Sequence, residues 1–186
     1  MKVSLTNVRL AFPALFEPKT VNGEGEPRFS AVAIIDPASI NVKNLDAAVK
    51  AVATEKWKDK APAILQKLVS EGRVAFHKAA KTNSSGEVYA GFEDTFHLNA
   101  SNKARPLVID SNKSPLTAAD GRPYAGCFVN MSIELWAQDN NFGKRVNATL
   151  RGVQFVRDGD AFTGGLPASA DEFEDLAEGA TADDLA

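Results

Sequence analysis

From residue 127 to residue 138 the chain alternates with period two. Val129, Met131, Ile133, Leu135 and Ala137 fall on one face, and Phe128, Asn130, Ser132, Glu134, Trp136 and Gln138 on the other. That period marks a strand with one buried face. Residues 139–143 (DNNFG) supply a turn. On the return, Val146, Ala148 and Leu150 face inward until Gly152, where the pattern switches to Val153 and Phe155. The pattern predicts a long antiparallel hairpin with a bulge near Gly152.

The N-terminal half gives shorter signals. In residues 2–12, Val3 and Leu5 share one register, and Val8, Leu10 and Phe12 the other. A strand with a bulge at Thr6-Asn7 accounts for the switch. Pro13 and Pro18 are expected to end it, residues 21–27 to form a loop, and residues 29–36 to form a buried central strand. Leu45, Val49, Val52 and Ala53 recur at helical spacing behind Asn41 or Asn44 as a cap. Lys56, Lys58 and Lys60 around Trp57 suit the negative end of that helix. A second short helix is expected over 63–71, ending at Gly72, with strands over 95–103 and 107–110 and loops over 83–86 and 111–124. Short strands, one helical insertion and a long hairpin predict a mainly β (α+β) fold, an OB-like antiparallel β-barrel.

Charge adds a division. Residues 170–186 hold seven acids and no Lys or Arg, while all 21 basic residues and the other 17 acids lie in residues 1–169. The body is therefore +4 and the tail −7. The expected boundary separates a binding domain over 1–165 from a flexible acidic tail over 166–186. Within the tail, Phe173, Leu176 and Leu185 stand among acids such as Asp183 and Asp184, a pattern suited to docking protein partners. No apolar run is long enough to span a bilayer, and the N-terminus lacks a signal-peptide core. One cysteine, Cys127, excludes an internal disulfide and reads as a small core residue. Cytoplasmic life in a reducing compartment is the expectation, with monomer or homodimer left open.

Catalytic signals are sparse. Glu93, Asp94 and His97 lie close in sequence and frame one rival reading, a metal-dependent nuclease. On a strand, however, Asp94 and His97 would point to opposite faces, and no further ligand spacing supports them. No phosphate-binding loop or nucleophile elbow is present. Neither cofactor nor metal is expected. A second rival is a module that binds only protein.

Binding a single strand of nucleic acid needs cations for phosphates and exposed rings for bases. The hairpin offers both: Trp136 and Phe128 interrupt a polar face, Arg145 and Arg151 share the return strand, and Phe142 and Lys144 sit at the tip. Tyr89, Phe92, Lys103, Arg105, Lys113, Arg122 and Tyr124 flank the neighbouring strands and loops. Singly, each ring is more often core; together with the cations they favour binding.

Four blocks carry a resemblance. They are T-N-V-R-L-A-F-P-A-L-F-E-P-K at 6–19, Y-A-G-C-F-V-N at 124–130, D-N-N at 139–141 with Gly143-Lys144, and V-Q-F-V-R-D-G-D at 153–160. Phe142 interrupts the third block. The sequence resembles the Enc34-like single-stranded DNA-binding proteins of phages. The resemblance implies an OB-type fold, sequence-independent binding of single-stranded DNA, and a role in phage replication or recombination in the host cytoplasm. The acidic tail likewise resembles those of phage and bacterial single-strand binders, which implies replication or recombination proteins as partners.

Overall fold

A computed structural model describes residues 1–21 and 23–162. β1 (Lys2–Val21) and β2 (Glu24–Ile35) form an antiparallel hairpin. α1 (Ile40–Trp57), a 3-10 turn (Lys58–Lys60) and α2 (Ala61–Ser70) follow as one helical insertion. β3 (Phe76–His77), β4 (Phe96–Asn102) and β5 (Leu107–Ile109) are short. β6 (Phe128–Asn140) and β7 (Gly143–Arg157) make the second long hairpin. The strands run in the order β3-β4-β2-β1-β6-β7-β5, and β4 also meets β7 at Ser101 and Thr149. That contact closes β1, β2, β4, β7 and β6 into a five-stranded barrel. The predicted architecture, mainly β with a helical insertion, is the observed one.

The period-two residues fill the barrel. Leu5, Leu98, Ile133, Leu135 and Leu150 are fully buried in one core with Val129, Val146 and Cys127. Each large aliphatic side chain taken from water contributes about 1.5–3 kcal/mol. Burial pushes the Cys127 thiol up to about 11, as expected of a packing residue. The register between β6 and β7 slips between Ser132 and Ile133, which leaves Arg151 as the extra residue beside Gly152, where the sequence pattern switched. The β1–β6 register slips between Leu5 and Val8, at the expected Thr6-Asn7 bulge.

Three expectations fail for physical reasons. β1 runs through Pro13 and Pro18 to Val21, because both prolines fall where the β1–β2 ladder is already interrupted and no backbone donor is needed. The expected 21–27 loop is mostly strand: Val21 pairs with Glu24 across a turn holding Gly23 at φ +74°. Asn22-Gly23 in the sequence was the hairpin signal for this. Neither Asn41 nor Asn44 caps α1; Ser39 occupies that position. Asn41 is buried instead. Its side chain accepts from the Thr6 N–H at 3.0 Å and donates to the Thr6 carbonyl at 2.9 Å, satisfying the backbone that the β1 bulge frees. At its other end α1 is held by Trp57, whose buried indole donates to Asp139 at 2.9 Å.

A second, smaller core lies outside the barrel. Ala11, Val32, Ile34 and Phe92 pack together there with Tyr89. This core clips residues 78–95 onto the outer face of β1 and β2, which is why β2 is apolar on both faces. Among the described residues no helix is long and apolar enough to cross a membrane. The expected boundary near residue 165 and the tail residues Phe173, Leu176, Asp183, Asp184 and Leu185 lie outside the described residues.

Candidate nucleic-acid interface

A cleft of about 820 Å³ crosses the outer face of the barrel. Its floor is β2, β4 and β7, through Ser30, Val32, Asn99, Ser101, Asn147 and Thr149. One wall is the far part of the first hairpin, with Phe12, Thr20, Val21 and Arg28. The opposite wall holds Arg73, His77, Lys81 and Tyr89, and the second hairpin adds Trp136, Gln138 and Arg145. Among the described residues four cations line this cleft and no carboxylate does. Arg28, Lys81 and Arg145 make no ion pair among the described residues, and Arg73 has only Glu71 at 3.8 Å. Arg28 is steadied by its hydrogen bond to Ser101 at 3.1 Å. Unopposed cations along a concave surface focus a positive potential.

The rings in the cleft are arranged rather than scattered. Trp136 is 45% exposed, and its indole N–H donates to Thr149 at 3.1 Å, which fixes one edge. Phe12 sits at φ +46°, a costly conformation for a bulky residue. The β1–β2 register slips there, between Ala11 and Ala14. The slip turns Phe12 out of the expected inward register, leaves it 47% exposed, and sets it edge-on to Tyr89 at 4.9 Å. Bulges re-aim side chains in this way beside functional sites.

Two histidines stack at the end of the cleft, His77 on His97, 4.6 Å apart and 10° from parallel. His97 is buried, and its Nδ1 lies 2.7 Å from the Ala79 carbonyl. A carbonyl only accepts, so Nδ1 carries the proton. Burial lowers His97 to about 4, outweighing that hydrogen bond, with His77 and Lys81 adding to the lowering. Burial also lowers His77, and Lys81 and Arg145 lower it further. Lys81 is itself lowered by burial.

The sequence-predicted residues divide. Tyr89, Trp136 and Arg145 line the cleft. Phe142 is 84% exposed at the tip of the second hairpin. Lys103, Arg122, Lys144 and Arg151 are each paired with an acid: Glu26 at 2.7 Å, Asp110 at 2.6 Å, Asp139 at 3.4 Å and Glu134 at 2.7 Å. Arg105 stands over Phe16, and Lys113 lies in an exposed turn. Phe92 is a correction. It is 1% exposed, wedged between Phe12, Tyr89 and His97, and has no face left for a base.

Tyr124 and Phe128 belong to a clasp instead. Tyr124 donates to Asp158 at 2.8 Å and accepts from the Gly159 N–H at 3.1 Å, while Phe128 lies under Arg157 at 3.6 Å. The nuclease reading finds no convergence. Glu93 accepts from the Gly91 N–H at 2.9 Å, Asp94 occupies a turn at φ +56°, and the His97 ring is buried.

The family model described as the single-stranded-DNA-binding protein of Enterobacter phage Enc34 matches residues 1–186. The chain belongs to this family. Protein p50 of Acyrthosiphon pisum secondary endosymbiont phage 1 is 48% identical over 177 residues, covering 95% of this chain and 94% of p50. Among solved structures, the bacteriophage Enc34 single-stranded DNA-binding protein in complex with single-stranded DNA superposes with a TM-score of 0.69 at 23% identity. It covers 87% of this chain and 89% of that one. The single-stranded DNA-binding protein gp2.5 of bacteriophage T7 gives 0.55 at 14% identity, over 94% and 97%. These two likenesses place the fold of this family member among phage barrels of the same design.

Sequence reasoning missed Arg28, Arg73, Lys81, His77 and Phe12 as cleft residues. A strand-end reading put Phe12 inside. The others come from segments with no periodic signal, and only barrel closure brings them together.

Proposed function

We propose that the chain binds single-stranded DNA in this cleft without sequence preference and serves phage DNA replication and recombination in the host cytoplasm. The observation that carries the reading is the lining by the described residues: exposed rings and four cations, of which only Arg73 has an acidic partner, with no carboxylate among them. Cations neutralise phosphates, and the faces of Trp136, Tyr89 and Phe12 accept any base, since every base has a π-face. All walls of the cleft come from one chain, so a homodimer is not needed to complete it. Titration with oligo-dT and with duplex of equal length tests the reading. The single strand is expected to bind much more tightly, and equal affinities would refute it. Trp136→Ala is expected to weaken oligo-dT binding about 5- to 150-fold, the loss of one base stack. The circular dichroism of the variant should match wild type, because the ring is half exposed.

The division into a binding body over 1–165 and an acidic tail over 166–186 is part of the proposal. A tethered segment of charge −7 competes with DNA for a positive cleft, most strongly at low salt. Phe173, Leu176 and Leu185 would anchor it, with Asp183 and Asp184, on replication or recombination proteins. Deleting residues 170–186 is expected to raise affinity for oligo-dT at low salt, by a factor that shrinks as salt rises. Unchanged affinity of the truncated protein at low salt would rule the competition out.

A further inference from the structure

We propose that His77, Lys81 and Arg145 form a phosphate subsite at the end of the cleft, and that a strand phosphate seated there binds with uptake of one proton by His77. The inference rests on the cleft being the DNA site. Three elements converge on this point: β3 supplies His77, the segment after it Lys81, and β7 Arg145. All three line the cleft, and both cations lie close enough to act on the His77 ring.

What surrounds His77 decides its response. Its ring is covered by His97 of β4, which burial keeps neutral despite its hydrogen bond to the Ala79 carbonyl. From α1, Asp46 and Lys50 line the recess on the far side of His77, and Asp46 is already bound by Lys78 at 2.9 Å. Among the described residues no free carboxylate therefore offers His77 a counter-charge, while two cations oppose its protonation. In the free protein the imidazole is neutral near pH 7. A phosphate held by Lys81 and Arg145 reverses the local field and supplies both the acceptor and the negative charge an imidazolium needs. The complex then holds the His77 proton more tightly than the free protein does. By linkage, affinity rises as pH falls through the bound-state pKa and levels off below the free-state one.

Oligo-dT is the probe, because thymine has no group that titrates between about pH 6 and about pH 8, where an ordinary histidine does. Wild-type affinity at fixed salt is expected to rise about three- to tenfold from pH 8 to pH 6. Calorimetry in two buffers of different ionisation heat is expected to show net proton uptake approaching one per bound protein. His77→Gln should remove both effects, and His77→Lys, a permanent cation, should bind at pH 8 as wild type does at pH 6. No proton uptake by the wild-type protein would overturn the proposal without any variant. A pH response that survives in His77→Gln would do the same by assigning it to another group. Trp136→Ala and Arg28→Ala at pH 8 keep the two readings apart. If they weaken binding but no proton is taken up, only the subsite falls; if they leave affinity unchanged, the cleft is not the DNA site.

Discussion

Replacing Arg28, Arg73, Lys81 and Arg145 together by alanine is expected to lower affinity for oligo-dT several-hundred-fold near 0.1 M salt and hardly at all near 1 M. Each phosphate neutralised on a single strand contributes about 0.7 to the slope of log K against log salt. Four contacts make a slope of about −3, and over the decade from 1 M to 0.1 M that amounts to nearly three orders of magnitude. The rings are untouched, so the stacking part of the affinity remains at high salt. A control set tests whether pairing matters. Lys103, Lys144 and Arg151 are as cationic in sequence, but Glu26, Asp139 and Glu134 hold them. Surface pairs of this kind are weak, and their charge is locally cancelled. Their triple alanine variant should flatten the salt slope far less than the cleft variant. Equal flattening in the two would mean that the strand runs over the second hairpin and not through the cleft.

The barrel was legible because its signal is local. Val129 to Ala137 and Val146 to Leu150 alternate within one strand, and the bulges at Thr6-Asn7 and beside Gly152 announce themselves as breaks in that alternation. The cleft was only half legible. Of its cations only Arg145 stands on the legible hairpin; nothing in the neighbourhoods of positions 28, 73 and 81 marks theirs. Equally, nothing near Lys103 or Arg151 reveals that Glu26 and Glu134 will neutralise them. Charge pairing is a property of the closed barrel. Phe12 and Phe92 exchange roles for a similar reason. Alternation points Phe12 inward, but the bulge gives it φ +46° and brings it to the surface, and Phe92 is drawn under it to cover Val32 and Ile34.

Two of the blocks that carry the family resemblance are a different matter, because they fall together at one place away from the cleft lining. Tyr124 to Asn130 and Val153 to Asp160 meet in the clasp, with Arg9 of the first block donating to the Gly126 carbonyl at 3.0 Å and to the Asp160 carbonyl at 2.6 Å. The Tyr124 hydroxyl joins the same point to Asp158 and Gly159. What the sequence displays most plainly is therefore how the chain locks the β6–β7 hairpin to β1. What lines the cleft is spread across the fold.

Gly126→Ala is expected to be the most destabilising single methyl addition in the clasp. Gly126 sits at φ +108°, where an L side chain is strained. A Cβ there would fall onto the backbone carbonyl of Asp160, and a carbonyl held by Arg9 cannot swing aside without losing that bond. Strain and clash add, so a cost of about 3 kcal/mol or more is expected. For a domain of this size that lowers the melting temperature by roughly 6–12 °C. Gly121→Ala separates the two causes. Gly121 also has a left-handed backbone, at φ +71°, but its Cβ would meet nothing within 4 Å. It should cost only about 1 kcal/mol, the conformational part alone. Thermal unfolding followed by circular dichroism measures both. Below its melting point the Gly126→Ala protein should still bind oligo-dT at near wild-type affinity, because no clasp residue lines the cleft. A variant that melts normally but has lost DNA binding would reverse that assignment and make the clasp part of the binding surface.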